Sequence, residues 1–405
     1  MKRLLKISLD NLLLSFTPIL SWLLLGIIID KSLINIFTLI YPIQFICIIL
    51  KNIFSNGANI SREKDKNQNA VMSGLVIGGI ISAIVFLILL INIENYINFM
   101  HMSIQKYKLF AEYYIIQLFI QLIFTFILEK LYYENKNSLA NKYSVTFNLL
   151  NFIVLIGCSL LIKNQVIIIG TTLTVIAIYT IYVLVKSVDK FKFNLNLLNC
   201  IKYVSVDLIG NIVLFISYLI GLRIVNNYGE NYAAAISFVS LITDTQWDII
   251  LATVTVAQID VSKNQFNYKE HLINAYKLLG ILLSSIVFLF ILLYRFYDLN
   301  IKIVVAYLII EFIDFAIHPL YKMKCVYLTI EWSAIKTSTN KIITGLIRMV
   351  LSFLSTPFCT TIGQLFSSLY ECISINIMYR KNKLEMKNLS TINENQTYEL
   401  SNKNE

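Results

Sequence analysis

Apolar residues run along this chain in blocks of about 20, the length a helix needs to cross the hydrocarbon core of a bilayer. Twelve such blocks can be traced, separated by short segments rich in Lys, Asn and Ser. They predict helices near residues 11–29, 33–54, 70–92, 108–131, 143–162, 165–185, 204–226, 232–256, 274–294, 301–320, 338–356 and 360–379. The expected fold is therefore all-α, a polytopic membrane protein with about twelve transmembrane helices. The sharpest interruption is the polar and basic segment Ser55-Asn56-Gly57-Ala58-Asn59-Ile60-Ser61-Arg62-Glu63-Lys64, wedged between two apolar runs. In a chain of this kind the few polar interruptions must carry the function.

Composition agrees with the pattern. The 405 residues are 57% hydrophobic and 14% charged, with a mean hydropathy of +0.69. Soluble domains have roughly 45–50% apolar and 25% charged residues, so a soluble protein is excluded. The net charge of +10 does not point to nucleic acid, because the lysines sit between the apolar runs rather than on one polar face. It reads instead as topology. Of the 34 Lys and Arg residues, 26 fall on the side of the N-terminus or in alternate loops facing it, and 6 fall on the opposite side. Positive charge is retained on the inner face, so both termini are expected in the cytoplasm of a bacterial cell with the chain in its inner membrane. The opening Met1-Lys2-Arg3-Leu4-Leu5-Lys6 and the apolar run behind it resemble a secretory signal, but the run is too long and lacks a small-residue cleavage site. It is read as a retained first span. The six cysteines have no CxxC spacing and lie in or beside apolar runs, as buried free thiols do.

Six spans per half would leave both halves in the same orientation, giving two six-helix bundles related by a pseudo-twofold axis along the membrane normal. The long connection from Lys186 to Lys202 is the natural linker. The expected division is an N-terminal lobe at 1–190, a C-terminal lobe at 191–380, and a disordered cytoplasmic tail at 381–405.

Several short motifs, in order along residues 1–380, give the chain a resemblance to the multidrug and toxic compound extrusion (MATE) transporters, within the superfamily that also holds polysaccharide and lipid flippases. They are Asp30 near the end of the first span, Tyr41-Pro42-Ile43 in the second, and Gly57 with the Ser-Arg loop behind it. Tyr113-Tyr114, Asn148-Leu149-Leu150-Asn151, and the glycine with paired alanines of Tyr228-Gly229-Glu230-Asn231-Tyr232-Ala233-Ala234-Ala235 continue the series. The resemblance implies alternating access between two lobes, and implicates the counterpart of Asp30 in proton or sodium coupling. The chain also departs from the pattern. Leu155 stands where such transporters commonly have an acid, one turn after the second Asn of the fifth helix, and Ile212 to Phe215 are apolar where the seventh helix often has another.

Ionisable residues inside spans cost at least about 2.5–3.5 kcal/mol on insertion scales, so each survivor is a functional candidate until paired. Pro18 frees a backbone carbonyl midway along the first helix. With Asp30 and the amides of Asn148 and Asn151, which share a helix face, it would form a polar cavity in the first half. Asp244 and Asp248 share a face of the eighth span, with Trp247 adjoining; they suit a protonation switch or ion pairs with Arg223 or Arg348. Glu311, Asp314 and His318 form one stripe of the tenth span, followed by Pro319, and could relay protons or touch substrate. A metal site there lacks supporting ligands, since no HExxH motif or Cys cluster is present.

Taken with these residues, the resemblance implies a secondary active transporter, an antiporter that exports organic cations or amphiphilic compounds in exchange for H+ or Na+. Cation coupling is assigned to Asp30, Asn148, Asn151, Asp244 and Asp248, and the substrate cavity to Pro18, Trp247, Glu311, Asp314 and Arg223. No catalytic motif, cofactor or metal is expected, and the chain should act as a monomer in the bilayer on a small molecule. The alternatives are a flippase for a lipid-linked saccharide, which would need Arg223, Arg348, Lys336 or Lys341 in the cavity to hold pyrophosphate, and a transport-inactive or enzymatic membrane protein.

Overall fold

In the computed structural model the described residues are 21, 23–67, 69–134, 136–162, 164–187, 192–262, 265–294, 296–332 and 334–401. Pro18 lies outside them, as does the lobe boundary expected at 190 and 191.

The described chain is all-helical. A helix ending at residue 28 leads through a 3-10 turn, Lys31–Asn35, into α1 (Ile36–Lys51), a π-helical turn (Asn52–Gly57) and α2 (Ala58–Lys64). Then come α3 (Ala70–Ile91), the short α4 (Ile93–Phe99), α5 (Ile104–Tyr133), α6 (Asn137–Leu161) and α7 (Gln165–Ser187). The rest of the chain forms α8 (Leu197–Asn227), α9 (Glu230–Ser262), α10 (Tyr268–Leu293), α11 (Ile301–Glu331), α12 (Ala334–Ser352) and α13 (Cys359–Ser401). Seven described helices are long and apolar enough to cross a membrane by length and composition.

Each predicted span from the second onward falls on these helices, for a physical reason visible in α3, while most of the first, 11–29, lies outside the described residues. Ile80, Ile84, Leu87, Ile88 and Ile91 form one exposed stripe suited to lipid, while Met72, Leu75 and Phe86 are buried against the protein. α13 is helical from Cys359 to Ser401.

Helices α3, α5, α6 and α7 pack in one group, and α8 to α13 in another, with α1 contacting both α5 and α8. The α1–α8 seam is close because Gly57, at the end of the π turn, has no side chain: a Cβ there would lie 2.7 Å from the carbonyl oxygen of Cys200. The interruption singled out in the sequence is thus a π turn that re-aims the chain where two halves meet. Gly229 turns the chain between α8 and α9 at φ +109°, a conformation that L side chains avoid.

The lysine-poor ends of the helices are stitched together across the two groups. Lys106 pairs with Glu230 at 2.9 Å, Lys31 pairs with Asp298, and Tyr297 donates to the carbonyl of Leu23. The buried amide of Asn226 donates to the carbonyl of Met100 at 2.9 Å.

Candidate functional site

A cavity of about 360 Å³ lies among α8, α11, α12 and α13, with Asn52 of the π turn on its wall. Three polar stripes of helical period build it. α12 contributes Lys341, Thr344, Gly345 and Arg348; α13 contributes Gln364, Ser367, Ser368 and Glu371; α11 contributes His318, Tyr321 and Lys322. The spacing i, i+3, i+4, i+7 in α12 and α13 puts each set on one face. Each stripe turns toward the others because the opposite face is apolar and exposed, with Ile343, Leu346 and Val350 on α12 and Phe366, Leu369 and Ile373 on α13.

At the deep end, Gln364 organises the charges. Its Nε2 donates to Asp314 Oδ2 at 2.7 Å and to Glu311 Oε2 at 3.4 Å, while its Oε1 accepts from Arg348 Nη2 at 2.6 Å and from the Tyr218 hydroxyl at 3.3 Å. One amide therefore stands between a guanidinium and two carboxylates and contacts both signs. Asp314 is 1% exposed, Glu311 6% and Arg348 8%, so all three depend on such contacts rather than on water. His318 packs against the same group: its Nδ1 lies 2.9 Å from the Asp314 carbonyl and 3.6 Å from Asp314 Oδ1. Asp314 Oδ1 and Arg348 Nε have no hydrogen-bond partner. Asp314 lies 13 residues into α11, roughly 20 Å from its lysine-poor end at 1.5 Å per residue, which places the cluster at mid-membrane depth.

Aromatic rings tie this cluster to the first half of the chain. Arg348 stacks over the Tyr218 ring at 4.0 Å, and Tyr218 packs edge-on against Tyr41 at 4.7 Å and parallel to Phe45 at 5.0 Å. Tyr41 belongs to the Tyr-Pro-Ile motif, so that motif supplies the contact between halves. Nearer the lysine-rich end, Lys322 pairs with Glu371 at 3.2 Å. No ion-pair partner is found for Lys341 among the described residues, and it is exposed.

A second, smaller cavity of about 80 Å³ lies in the first half, lined by Ser21, Gln44, Tyr114, Gln117, Gln121, Asn151 and Leu155 among others. All its polar residues are neutral. The Oδ1 of Asn151 and the Oε1 of Gln117 are buried without a hydrogen-bond partner.

The predicted residues divide between these places and the rim. Glu311, Asp314 and His318 come together as the stripe predicts, and Asn151 faces the small cavity. Asn148, on the same side of α6, is half-buried and lines neither cavity. Asp30 is corrected from the cavity to the lysine-poor rim. It is exposed and caps the 3-10 turn, accepting from Ser32 N and Ser32 Oγ at 2.8 Å each. Its neighbour Lys31 pairs with Asp298 instead. Arg223 is likewise corrected: it sits near the end of α8 over the Phe99 ring at 4.4 Å, away from the large cavity. Lys336 stacks on Trp332 at 3.9 Å and does not line the cavity. The side chains of Asp244, Trp247 and Asp248 lie outside the described ones. Gln364 and Glu371 were missed, although the polar stripe Gln364, Ser367, Ser368, Glu371 in an otherwise apolar run carries the signal that exposed the one in α11.

No group of three or more His, Cys, Asp or Glu suited to a metal is present among the described residues. No protein-family model matches the sequence, and no curated protein matches it. Solved structures do match in fold. The inward-facing conformation of a multidrug resistance MATE family transporter of the MOP superfamily superposes with a TM-score of 0.64 at 15% identity, over 95% of this chain and 96% of that one. An outward-facing conformation gives 0.64 at 15% identity over 96% of each chain. A MOP superfamily transporter from Pyrococcus furiosus, whose binding pocket has a reverse polarity suggesting a different function for that protein, gives 0.64 at 15% identity over 94% of this chain and 96% of that one. The chain is an integral membrane protein with the fold of the MATE family transporters.

Proposed function

We propose that this protein is a secondary active transporter that exports amphiphilic small molecules by alternating access, with Glu311, Asp314 and His318 carrying the ion coupling. The observation that carries this reading is the meeting of two buried carboxylates at one amide. Two like charges this close in a site shut off from bulk water repel each other, and a bound proton or Na+ relieves the repulsion. Gln364 passes that change on. When the carboxylates are neutralised, its Nε2 loses charged acceptors, and its hold on Arg348 through Oε1 is free to rearrange. Arg348 in turn stacks on Tyr218 in the aromatic seam between the halves, so loading the acids bears on the surface that must move. The lysine-poor side is stitched shut while the cavity reaches Lys341 on the lysine-rich side. This supports an inward-open state if that side is cytoplasmic, as the charge count predicts.

The lining also favours a second reading of the cargo. Its cations are Lys322, Lys341 and Arg348, and its one carboxylate, Glu371, is held by Lys322. An organic cation would find the lining carboxylate already held by Lys322, whereas a phosphate or carboxylate would find Arg348 Nε and Lys341. This supports an amphiphile with an anionic group, the chemistry of a lipid-linked precursor, over the bare organic cation expected from the family resemblance.

Both parts are tested in proteoliposomes. A pH or Na+ gradient should drive movement of an anionic amphiphile, and Asp314→Asn should abolish the response to the gradient while leaving binding. Lys341→Gln should weaken binding while leaving the gradient response. Transport of a cationic dye that is unaffected by Lys341→Gln would remove the anionic reading. Gradient-driven transport that survives in both Asp314→Asn and Glu311→Gln would remove the coupling assignment.

A further inference from the structure

A second polar site lies outside the cavity and is independent of what the chain carries. At the lysine-rich end, the start of α10, the last third of α11 and the middle of α13 enclose an open groove of about 860 Å³. Its lining includes four cationic residues, Lys269, Lys324, Arg380 and Lys383, and no carboxylate. Lys324 is held at the floor of the groove by neutral groups: it donates to Asn376 Oδ1 at 2.5 Å and lies over the rings of Tyr268 at 4.2 Å and Tyr379 at 5.5 Å. Lys269, Arg380 and Lys383 are exposed, and no ion-pair partner is found for them among the described residues. Four cations gathered with no acid in the lining repel each other, a cost that an anion removes.

The surroundings indicate what kind of anion. Arg380 is the first residue after the apolar run of the last predicted span, so the groove sits at the depth of lipid headgroups. On the same face of α13, Ile377 and Ile373 are 50% and 61% exposed, one and two turns deeper, and Ile273 of α10 is 45% exposed. A phosphate in the groove would have apolar surface leading away from it along the path of an acyl chain. A free phosphate would have no use for that surface. Basic pockets between transmembrane helices on the inner face recognise anionic headgroups by this combination.

We infer that the groove binds the headgroup phosphate of an anionic lipid, with Lys269, Lys324, Arg380 and Lys383 on the phosphate and Ile373 and Ile377 beside the acyl chain. The full chain, purified and delipidated in detergent, would be titrated with phosphatidylglycerol, phosphatidylcholine and inorganic phosphate, with binding followed by native mass spectrometry and by thermal unfolding. Phosphatidylglycerol should bind at least about ten-fold more tightly than phosphatidylcholine, and inorganic phosphate should not compete. The triple variant Lys269→Gln, Arg380→Gln, Lys383→Gln should lose that preference while unfolding at the same temperature without lipid. Neutralising Lys108 and Lys302 on the opposite face should leave it intact. If the triple variant does not fold, Arg380→Gln alone should still narrow the preference several-fold. Equal binding of the two lipids, competition by inorganic phosphate, an unchanged preference in the variants, or an equal loss on neutralising the opposite face would each overturn the inference.

Discussion

Both halves of the chain bury polar side chains about midway along their helices, but Asn151 and Gln117 in the first half are neutral, whereas Glu311, Asp314 and Arg348 in the second are charged. The neutral cavity of about 80 Å³ tolerates two amide oxygens without partners. Burying an unpaired amide costs a few kcal/mol at most, so such a site needs little support. The charged cavity of about 360 Å³ cannot be left that loose. An unpaired charge there would cost several kcal/mol, and the structure answers with a network in which Gln364 contacts both signs. Leu155 on the wall of the small cavity stands where the resemblance leads one to expect an acid. The small cavity thus has no charged residue in its lining, and on the proposed function the response to an ion gradient would reside in the second half.

This contrast can be broken most severely at Gln364. Replacing it with Leu leaves Arg348 Nη2 and Asp314 Oδ2 without the amide that contacts both, and should destabilise the protein by about 3–5 kcal/mol, read as a large drop in thermal midpoint. If Gln364→Leu unfolds normally, the bridging role is wrong. A smaller effect is expected at the seam between the halves. Gly57→Val places side-chain atoms against the backbone of Cys200 and should cost about 1–3 kcal/mol, visible in the same melting experiment. Smaller again is the effect on the lysine-poor side. Glu230→Gln removes the partner of Lys106 in an exposed pair, worth about 0–1 kcal/mol. It should shift the population toward opening on that side by no more than about five-fold, measured by labelling a cysteine placed at Lys31. The least effect is expected in the neutral cavity. Asn151→Leu removes an oxygen that has no partner, so stability should be unchanged or slightly raised, and the gradient response should persist. Loss of gradient response in Asn151→Leu with retention in Asp314→Asn would invert the comparison.

Much of the site was legible in the sequence because helical period is a local property. Glu311, Asp314 and His318 could be placed on one face of one helix from spacing alone, and Asn151 could be assigned to a buried face. Arg348 was visible as a charge stranded in an apolar run. That Gln364 joins it to the acids could not be read, since the amide lies 16 residues from Arg348 and 50 from Asp314 along the chain. Asp30 shows the opposite failure. A carboxylate at the end of a span looks the same in sequence whether it faces a cavity or caps a turn, and only the backbone at Ser32 decides between them.

The sequence by itself determined that the chain is a bundle of membrane-length helices and which of its ends collects positive charge, because both follow from the cost of placing polar groups in hydrocarbon. It also determined which polar residues share a helix face. Which faces meet, and therefore which acid is bridged to a base and which merely caps a turn, was decided only by the packing of helices distant in sequence, where small residues such as Gly57 permit close approach and buried charges must find partners.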